Sequence, residues 1–188
     1  MGIQMKGKLL VVSGPSGVGK GTICDRAVAR LHNTMLSVSV TERPPRAIET
    51  GGRSYHFLTP DEFDMLVDND GLLEWAVYGG NRYGTPKADV MYALADGNNV
   101  ILEIDVQGGE KVKAQIPETI RVFIAPPNEE ALLERLHKRG TESEEQILAR
   151  IERARGEMKH TKDYDYVIVN DNLNKAIDEF VKIIEEDF

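Results

Sequence analysis

Short apolar runs alternate along this chain with longer segments in which apolar residues recur at helical spacing. The apolar runs lie at residues 8–13, 100–104, 120–125 and 166–169, and their length predicts buried strands. Helical spacing begins near Lys20, with apolar residues at Ile23, Ala27 and Leu31, and returns at residues 110–116, 128–139, 144–159 and 173–185. This alternation predicts an α/β fold in which helices cover a parallel sheet.

The stretch between residues 37 and 96 follows a different pattern. Residues 37–41 alternate polar and apolar, and Gly51-Gly52 is a turn signal. Strands are predicted at 55–58 and 73–78, and a helix at about 61–67. We interpret this stretch as a small mixed α/β lobe inserted into the core. The expected organisation is one domain, with a core at about 6–36, 98–136 and 160–188, the lobe at about 37–97 and a helical lid at about 137–159.

Composition narrows the class of protein. The 188 residues, 41% of them hydrophobic, suffice for one ordinary core. A net charge of −8 opposes binding to nucleic acid or to an anionic membrane, so any phosphate must be bound by local cations. The single cysteine, Cys24, excludes an internal disulfide and is interpreted as a core residue of a helix rather than a nucleophile. With neither a signal-peptide pattern nor an apolar stretch of ~20 residues, we expect a cytoplasmic monomer or homodimer.

A candidate phosphate-binding loop follows the first predicted strand. The sequence GPSGVGKGT satisfies G-x-x-x-x-G-K between Gly14 and Lys20. Glycines let the backbone turn its N–H groups towards a phosphate chain, and the helix after the loop adds its positive end. A glycine-rich turn with a surface lysine is the alternative, but the strand before and the helix after favour a nucleotide loop. Its candidate residues are Gly14, Pro15, Ser16, Gly17, Val18, Gly19, Lys20, Gly21 and Thr22.

Gly21 departs from the usual form of this loop, which carries Ser or Thr at that position to help hold Mg²⁺. One interpretation is that Thr22 supplies the hydroxyl, although the next residue lies about 100° further around a helix. The interpretation we favour is that phosphates and water hold most of the metal shell, because Mg²⁺ gives up water reluctantly. Under either interpretation, Thr22 and Asp105 are candidates for contact with the ion through water.

A second anion site is indicated by two arginines in a loop stiffened by prolines. Arg43 and Arg46 flank Pro44-Pro45, and Tyr55 follows. Two guanidinium groups and a phenol suit the phosphate of a second substrate. A solvated basic loop is the alternative. Because the chain as a whole is acidic, we favour the anion site.

Further motifs occur in a fixed order. They are Ser-Val-Ser-x-Thr-x-Arg-x-Pro-Arg at 37–46, Gly-x-x-Tyr at 52–55, Leu-Glu-Trp at 73–75, Tyr-Gly-Thr at 83–85, Leu-Glu-Ile-Asp-x-Gln-Gly at 102–108, Arg-Leu-x-x-Arg-Gly-Thr at 135–141 and Val-Ile-Val-Asn-Asp at 167–171. Together with the phosphate loop, this ordered set resembles the guanylate kinase family over about residues 8–171. Two departures are visible: Glu42 stands where a hydroxyl residue is expected, beside Arg43, and Ile48 stands where glycine is common.

The resemblance assigns roles to individual residues. It implies a GMP phosphate site formed by Arg43, Arg46, Tyr55 and Tyr83, and a guanine site formed by Ser39, Glu74, Thr85 and Asp105. It implies a lid that carries Arg135, Arg139 and Arg150, of which Arg135 and Arg150 contact the transferring phosphates. Asn170 is expected near the adenine of ATP. The expected catalytic residues are Lys20, Arg43, Arg135 and Arg150.

Chemistry supports two of these assignments separately. A carboxylate such as that of Glu74 accepts both N1–H and N2–H of guanine, whereas adenine presents an acceptor at N1. Without the resemblance, Glu74 is equally well interpreted as a surface residue of a strand. Asp105 ends a buried strand and should therefore face the same crevice as the phosphate loop. It either contacts the acceptor nucleoside or orients metal-bound water, and both remain open.

The expected reaction is ATP + GMP → ADP + GDP, with dGMP as a second acceptor and Mg²⁺ as cofactor, in purine nucleotide metabolism. The nucleophile is an anionic phosphate oxygen, so no general base is needed. One alternative is a kinase of the same fold that acts on AMP or a deoxynucleotide. Another is a non-catalytic scaffold that binds protein partners through the GMP groove, against which the intact loop and the lid arginines argue.

Overall fold

The computed structural model describes residues 6–45, 55–139 and 143–186. Within those ranges the strands are β1 Leu9–Ser13, β2 Thr34–Leu36, β3 Val40–Thr41, β4 His56–Phe57, β5 Leu72–Tyr78, β6 Asn81–Pro86, β7 Asn99–Glu103, β8 Ile120–Ala125 and β9 Tyr166–Val169. The helices there are α1 Lys20–Val28, α2 Pro60–Asp68, α3 Lys87–Ala95, α4 Val106–Gln115, α5 Glu129–Arg139, α6 Glu144–Met158 and α7 Leu173–Glu185.

A five-stranded parallel sheet forms the centre of the molecule, with its strands in the order β2-β7-β1-β8-β9. All five residues of β1 are buried, because this central strand has neighbours on both edges and helices on both faces. The predicted α/β fold with a parallel sheet is therefore confirmed.

Alternate residues of β1 serve the two faces of the sheet. Leu10 and Val12 belong to a core cluster with residues of α1 and α7, whereas Leu9 and Val11 belong to a second cluster with residues of α3 and α4. Cys24 of α1 is buried in the first cluster. Burial raises the pKa of its thiol far above the ordinary value, which fits a core residue rather than a nucleophile.

A second sheet, in the order β4-β3-β6-β5, forms the lobe between β2 and the core strand β7. Strands β5 and β6 make an antiparallel hairpin whose turn contains Gly79 and Gly80, both with positive φ. Helix α2 begins with a capping box between Thr59 and Glu62 and buries Phe63 against the sheet. A register shift in the pairing of β5 with β6 between Leu72 and Glu74 marks a bulge beside Glu74.

Helices α5 and α6 pack through their own small core of Leu132, Leu136, Ile147, Ile151 and Ala154. The lid predicted at about 137–159 covers the end of α5 and all of α6; it stays a prediction, and we use the name lid for these two helices. Asn128 accepts from the backbone N–H of Ala131 at 2.8 Å, as an N-cap residue does. Ser143 caps α6 in a second capping box. Leu136 also packs on the glycine loop, because a Cβ at Gly17 would lie 2.8 Å from its Cδ2 atom.

Three elements were missed by the sequence pattern. Strand β2 is only three residues long, and β6 contains Gly84 and Pro86, which are unfavourable in strands and are tolerated here because β5 and β3 pair with them. Helix α3 was not predicted, yet Val90 and Leu94 pack into the core cluster of Leu9 and Val11. The division between lobe and core near residue 97 stays a prediction, and this packing favours an earlier boundary.

Helix α4 begins at Val106 rather than at residue 110, where the sequence pattern placed it. Gly108 and Gly109 in its first turn disfavour a helix, so the sequence pattern did not indicate this turn. The turn is stabilised by the N-cap residue Asp105, whose carboxylate accepts from the N–H of Gly108 at 2.7 Å. In the part of the chain that is described, no helix combines the length and apolar composition needed to cross a membrane.

Phe180 should be a major contributor to stability because its side chain is fully buried between α7 and the central sheet. We expect Phe180→Ala to lower the free energy of unfolding by about 3–5 kcal/mol, through lost burial and the cavity left behind. Urea unfolding measures the change. The adjacent exposed residue provides the control, since Glu179→Ala should alter the midpoint little; equal midpoints for both variants would contradict this prediction.

Candidate active site

The loop after β1 has the backbone geometry of a phosphate cradle. Gly14, Gly17 and Gly19 have φ values of 140°, 90° and 101°, in the region that favours glycine. A Cβ at Gly14 would lie 2.1 Å from the carbonyl oxygen of Ile124, so only glycine fits beside β8. The N-cap of α1 is Gly19, which has no side chain to cap the helix, and the first N–H groups of α1 are therefore directed at the loop.

Lys20 lies across this loop. Its Nζ atom donates to the carbonyl oxygens of Gly14 at 2.5 Å and Pro15 at 3.1 Å. The ammonium group thus occupies the position where the phosphates of a nucleotide would lie against the backbone N–H groups. Sequence analysis predicted this proximity, and the geometry agrees with it.

Lid and sheet residues brace the same loop. Arg135 donates to the carbonyl oxygens of Val18 at 3.3 Å and Asn170 at 2.7 Å, and the Asn170 amide donates to Val18 at 2.7 Å. Arg150 of α6 donates to the hydroxyl of Ser16. Arg135 and Arg150 therefore approach the loop from two helices of the lid, while the side chain of Arg139 lies outside the described part of the chain.

Glu103, at the carboxyl end of β7, was not predicted as a site residue. A Cβ at Gly21 would lie 3.4 Å from its Oε2 atom, so the carboxylate faces the position where the usual loop has a hydroxyl. Desolvation by burial raises the pKa of Glu103, the nearby charge of Lys20 lowers it, and Asp25 adds to the increase. The sequence places Glu103 in a predicted strand, but only the pairing of β7 with β1 brings it beside the loop.

The predicted second anion site is partly described. Arg43 donates from Nε to the hydroxyl of Tyr83 at 3.2 Å, and its guanidinium lies 5.6 Å from the centre of the Tyr55 ring. The rings of Tyr55 and Tyr83 meet edge to face at 5.6 Å. These three residues are brought together as predicted, whereas Arg46, Ile48 and the Gly51-Gly52 turn lie outside the described residues.

The negative charge of Glu42 is paired with Arg82 rather than with Arg43. Arg82 donates to its Oε2 atom from Nε at 2.9 Å and from Nη2 at 2.6 Å. Those hydrogen bonds lower the pKa of Glu42. The negative charge that replaces a hydroxyl residue at this position is therefore compensated across the sheet.

Glu74 lies on β5 with its carboxylate almost fully buried, only 7% of the residue being exposed. The hydroxyl of Thr85 on β6 donates to its Oε1 atom at 2.7 Å. Burial raises the pKa of Glu74; the Thr85 hydrogen bond and the charge of Lys111 oppose this increase, and Asp105 adds to it. The ambiguity of Glu74 in the sequence is thereby resolved: it is no surface residue but an inward-facing acceptor.

A cleft of about 1310 Å³ lies between the glycine loop, the lobe and helix α6. Its walls include the glycine loop, Lys20, Tyr55, Glu103, Asp105 and the lid residue Arg150. Arg153 of α6 also lies there, with its guanidinium 5.1 Å from the centre of the Tyr78 ring at the tip of the β5–β6 hairpin. Lid, lobe and loop thus converge on one space.

Comparison with known proteins agrees with this arrangement. A family model described as guanylate kinase matches residues 6–187. The chain belongs to the guanylate kinase family. It is 45% identical over 184 residues to the guanylate kinase of Caldanaerobacter subterraneus subsp. tengcongensis, covering 98% of this chain and 89% of that protein.

Two other members of the family give the same result. The guanylate kinase of Thermobifida fusca is 48% identical over 177 residues, covering 94% of this chain and 90% of that protein. The crystal structure of guanylate kinase from Anaplasma phagocytophilum matches with a TM-score of 0.77 and 31% identity, covering 96% of this chain and 86% of that chain. The resemblance stated from the motifs is therefore confirmed.

The cleft residues of this guanylate kinase family member that the sequence did not indicate include Glu103, Arg153 and Glu157. The Oε2 atom of Glu157 is buried without a hydrogen-bond partner among the described residues, and burial raises the pKa of this carboxyl. Arg153 and Glu157 lie one helical turn apart on α6 and so share a face. Charged residues cover α6 all round except on the side of Ile147, Ile151 and Ala154, so its sequence alone could not indicate which of them face the cleft.

The raised pKa of Glu74 should make this residue costly to stability near neutral pH. A carboxyl whose pKa is higher in the native state is destabilising above that pKa, and its effect disappears at low pH, where both states are protonated. Glu74→Gln should therefore raise the free energy of unfolding by roughly 0.5–2 kcal/mol at about pH 7.5, a typical gain when a destabilising functional residue is replaced.

Urea unfolding as a function of pH checks this expectation. The difference between Glu74→Gln and the parent should shrink as the pH approaches about 4.3, the ordinary value for glutamate. Glu118→Gln, at an exposed position, is the matched control and should leave the midpoint unchanged. A Glu74→Gln difference that stays constant with pH would be inconsistent with the raised pKa.

Proposed function

We propose that this chain transfers the γ-phosphoryl group of ATP to GMP, and also to dGMP, giving ADP and the nucleoside diphosphate. The observation that carries the proposal is the cleft, whose walls combine the glycine loop and Lys20 with Tyr55 and Trp75 of the lobe. Arg43 lies 5.6 Å from the centre of the Tyr55 ring, and the buried Glu74 precedes Trp75 on β5. Membership of the guanylate kinase family supports the same reaction.

On the acceptor side, Arg43, Tyr55 and Tyr83 bind the phosphate of GMP, together with Arg46, which we assign from the family resemblance. The carboxylate of Glu74 accepts hydrogen bonds from N1–H and N2–H of guanine. The hydroxyl of Thr85 donates to its Oε1 atom and so holds the carboxylate in one orientation. Ser39 and Asp105 complete the guanine site. Adenine would turn an acceptor towards a buried carboxylate, and such a mismatch disfavours AMP.

On the donor side, the loop from Gly14 to Thr22 surrounds the phosphates of ATP, and Lys20 moves from its backbone carbonyls to the terminal phosphates. Arg150, which contacts Ser16, and Arg135 supply further positive charge from the lid. Arg139 is assigned to the lid, and Asn170 to the adenine side of the site, by family resemblance.

The chemical step joins a phosphate oxygen of GMP to the γ-phosphorus of ATP and breaks the bond from that phosphorus to the β–γ bridging oxygen. The electron pair of that bond leaves with ADP. Because the attacking oxygen is already anionic, the residues have two tasks: they hold two polyanions together and stabilise charge on the transferring group. Closure of α5 and α6 excludes water, which would otherwise accept the phosphoryl group.

Divalent metal is generally needed by such kinases, and the donors present here suit Mg²⁺. Glu103 and Asp105 place carboxylate oxygens at the carboxyl end of β7, beside the glycine loop, and Mg²⁺ prefers oxygen ligands. These two residues would hold the ion, directly or through water, with Thr22 as a further oxygen donor. When bound, the ion neutralises charge on the β- and γ-phosphates.

The test is the choice of acceptor. ADP production should be measured with GMP, AMP, CMP and UMP, and GMP should be strongly preferred. In Glu74→Gln, the ratio of kcat/KM for GMP to that for AMP should fall about 5- to 150-fold, since bidentate base readout contributes roughly 1–3 kcal/mol. A preference for AMP would favour the related-kinase alternative, and no ADP with any acceptor would favour the scaffold alternative.

Lys20→Ala should lower kcat about 10²- to 10³-fold, because it removes a charge that stabilises the transferring phosphoryl group. GMP binding, measured by calorimetry, should be retained since Lys20 belongs to the donor side of the cleft. Lys182→Ala, at an exposed position on α7, is the control and should retain full turnover. Undiminished turnover in Lys20→Ala would contradict the role assigned to this lysine.

A further inference from the structure

Strand β5 lies at the edge of the lobe sheet and carries Glu74. On its outer side, an edge strand has backbone N–H and C=O groups that pair with no neighbouring strand, and these groups need other hydrogen-bond partners. Helix α4 of the core packs beside β5 and supplies them. Gln115 donates from Nε2 to the carbonyl oxygen of Leu73 at 2.6 Å, and Lys111 donates from Nζ to that of Trp75 at 2.9 Å.

These two hydrogen bonds flank Glu74 on both sides along the strand. The bulge between Leu72 and Glu74 interrupts the regular pairing with β6. Strand pairing therefore constrains the orientation of the Glu74 side chain less than it would in a regular strand. Contacts to Leu73 and Trp75 from α4 replace that lost constraint. They also join the lobe to the core at the one residue proposed to distinguish guanine.

Gly108 lies one turn before Lys111 on the same face of α4 and allows the close approach. A Cβ at Gly108 would lie 2.9 Å from Oε2 and 3.2 Å from Cδ of Glu74. The carboxylate therefore lies directly against the first turn of α4, whose positive end favours a negative charge. Gly108, Lys111 and Gln115 follow the spacing i, i+3, i+7, which places them along one side of a helix.

The positive charge of Lys111 also acts on Glu74. The Lys111 ammonium lies 6.0 Å from the centre of the Trp75 ring and lines the cleft. The groups facing Glu74 are Asp105 at the start of α4, Lys111 further along it and Thr85 on β6; of the charged pair, Asp105 favours the protonated carboxyl and Lys111 the ionised one. Only the ionised form accepts two hydrogen bonds from guanine without a donor in conflict.

We propose that Lys111 is a positioning residue for guanine recognition: its hydrogen bond to Trp75, with that of Gln115 to Leu73, holds Glu74 in place, and its positive charge faces the same carboxylate. This inference rests on the proposed GMP kinase function. Lys111 acts through Glu74 and β5 and need not touch the base.

Three variants test it. Lys111→Met removes donor and charge, Lys111→Arg retains both, and Lys113→Met is the matched control on the same helix, where the lysine donates instead to Thr119 at 2.7 Å. We expect Lys111→Met to raise both the KM and the calorimetric Kd for GMP roughly three- to tenfold, the range of one hydrogen bond, and to leave the KM for ATP unchanged. Lys111→Arg should restore most of the loss, and Lys113→Met should match the parent.

The pH profile separates the two parts of the role. Without the charge of Lys111 the pKa of Glu74 rises, so GMP binding should weaken at a higher pH in Lys111→Met than in Lys113→Met as the pH is lowered. Titration of the GMP phosphate is common to all variants and cancels in this comparison. Gln115→Leu removes only the other hydrogen bond; it should weaken GMP binding with no shift of the profile.

The outcomes are distinct from those of the proposed function. If the parent enzyme phosphorylates GMP and Lys111→Met equals Lys113→Met in GMP affinity and pH profile, the inference is overturned while the function stands. An equal loss for ATP and GMP indicates a general structural role and also overturns it. If the parent binds GMP but transfers no phosphoryl group, the function fails while the Kd measurements still test Lys111.

Discussion

The carboxyl ends of parallel strands meet at one edge of the central sheet, and the whole cleft depends on that constraint. Strand β1 leads into the glycine loop, β7 ends at Glu103 and continues to Asp105, and β9 leads to Asn170. Parallel pairing brings these three ends to the same edge of the sheet, with β7 next to β1 and β9 beyond β8, although β7 and β9 are far apart in the chain. Loop, carboxylates and asparagine therefore need no contact of their own to be brought together.

The cleft must concentrate positive charge in a molecule whose net charge is −8. It does so with groups from separate segments: Lys20 from the loop, Arg43 from the lobe, and Arg135 and Arg150 from the lid. Glu42, next to Arg43, is paired with Arg82 across the lobe sheet. Positive groups from several segments are thus brought near one another within an acidic molecule, an arrangement suited to phosphate anions.

Stability and specificity oppose each other at Glu74. Burying a carboxylate against the start of α4 destabilises the native state, yet it would provide the two acceptors that our proposal requires for guanine. Thr85 and the donors of α4 offset part of that penalty, and they do so by fixing the same carboxylate in one direction. Helix α4 contacts the lobe beside the residue that we propose reads the base, so in that proposal the orientation of the lobe and the choice of base are coupled.

The amino-acid sequence by itself determined the parallel α/β core, the glycine loop and the family, because these depend on local patterns: apolar runs, helical spacing and residues at fixed short distances. It also indicated Arg43, Tyr55 and Glu74. Only the tertiary structure decided that Glu74 faces inward, that Glu103 occupies the space beside Gly21, and that Lys111 faces β5. These facts depend on contacts between segments distant in the chain, and the sign of a charged residue does not reveal which neighbour it meets. The same reason explains the missed β6, whose glycine and proline disfavour a strand until β5 and β3 pair with it.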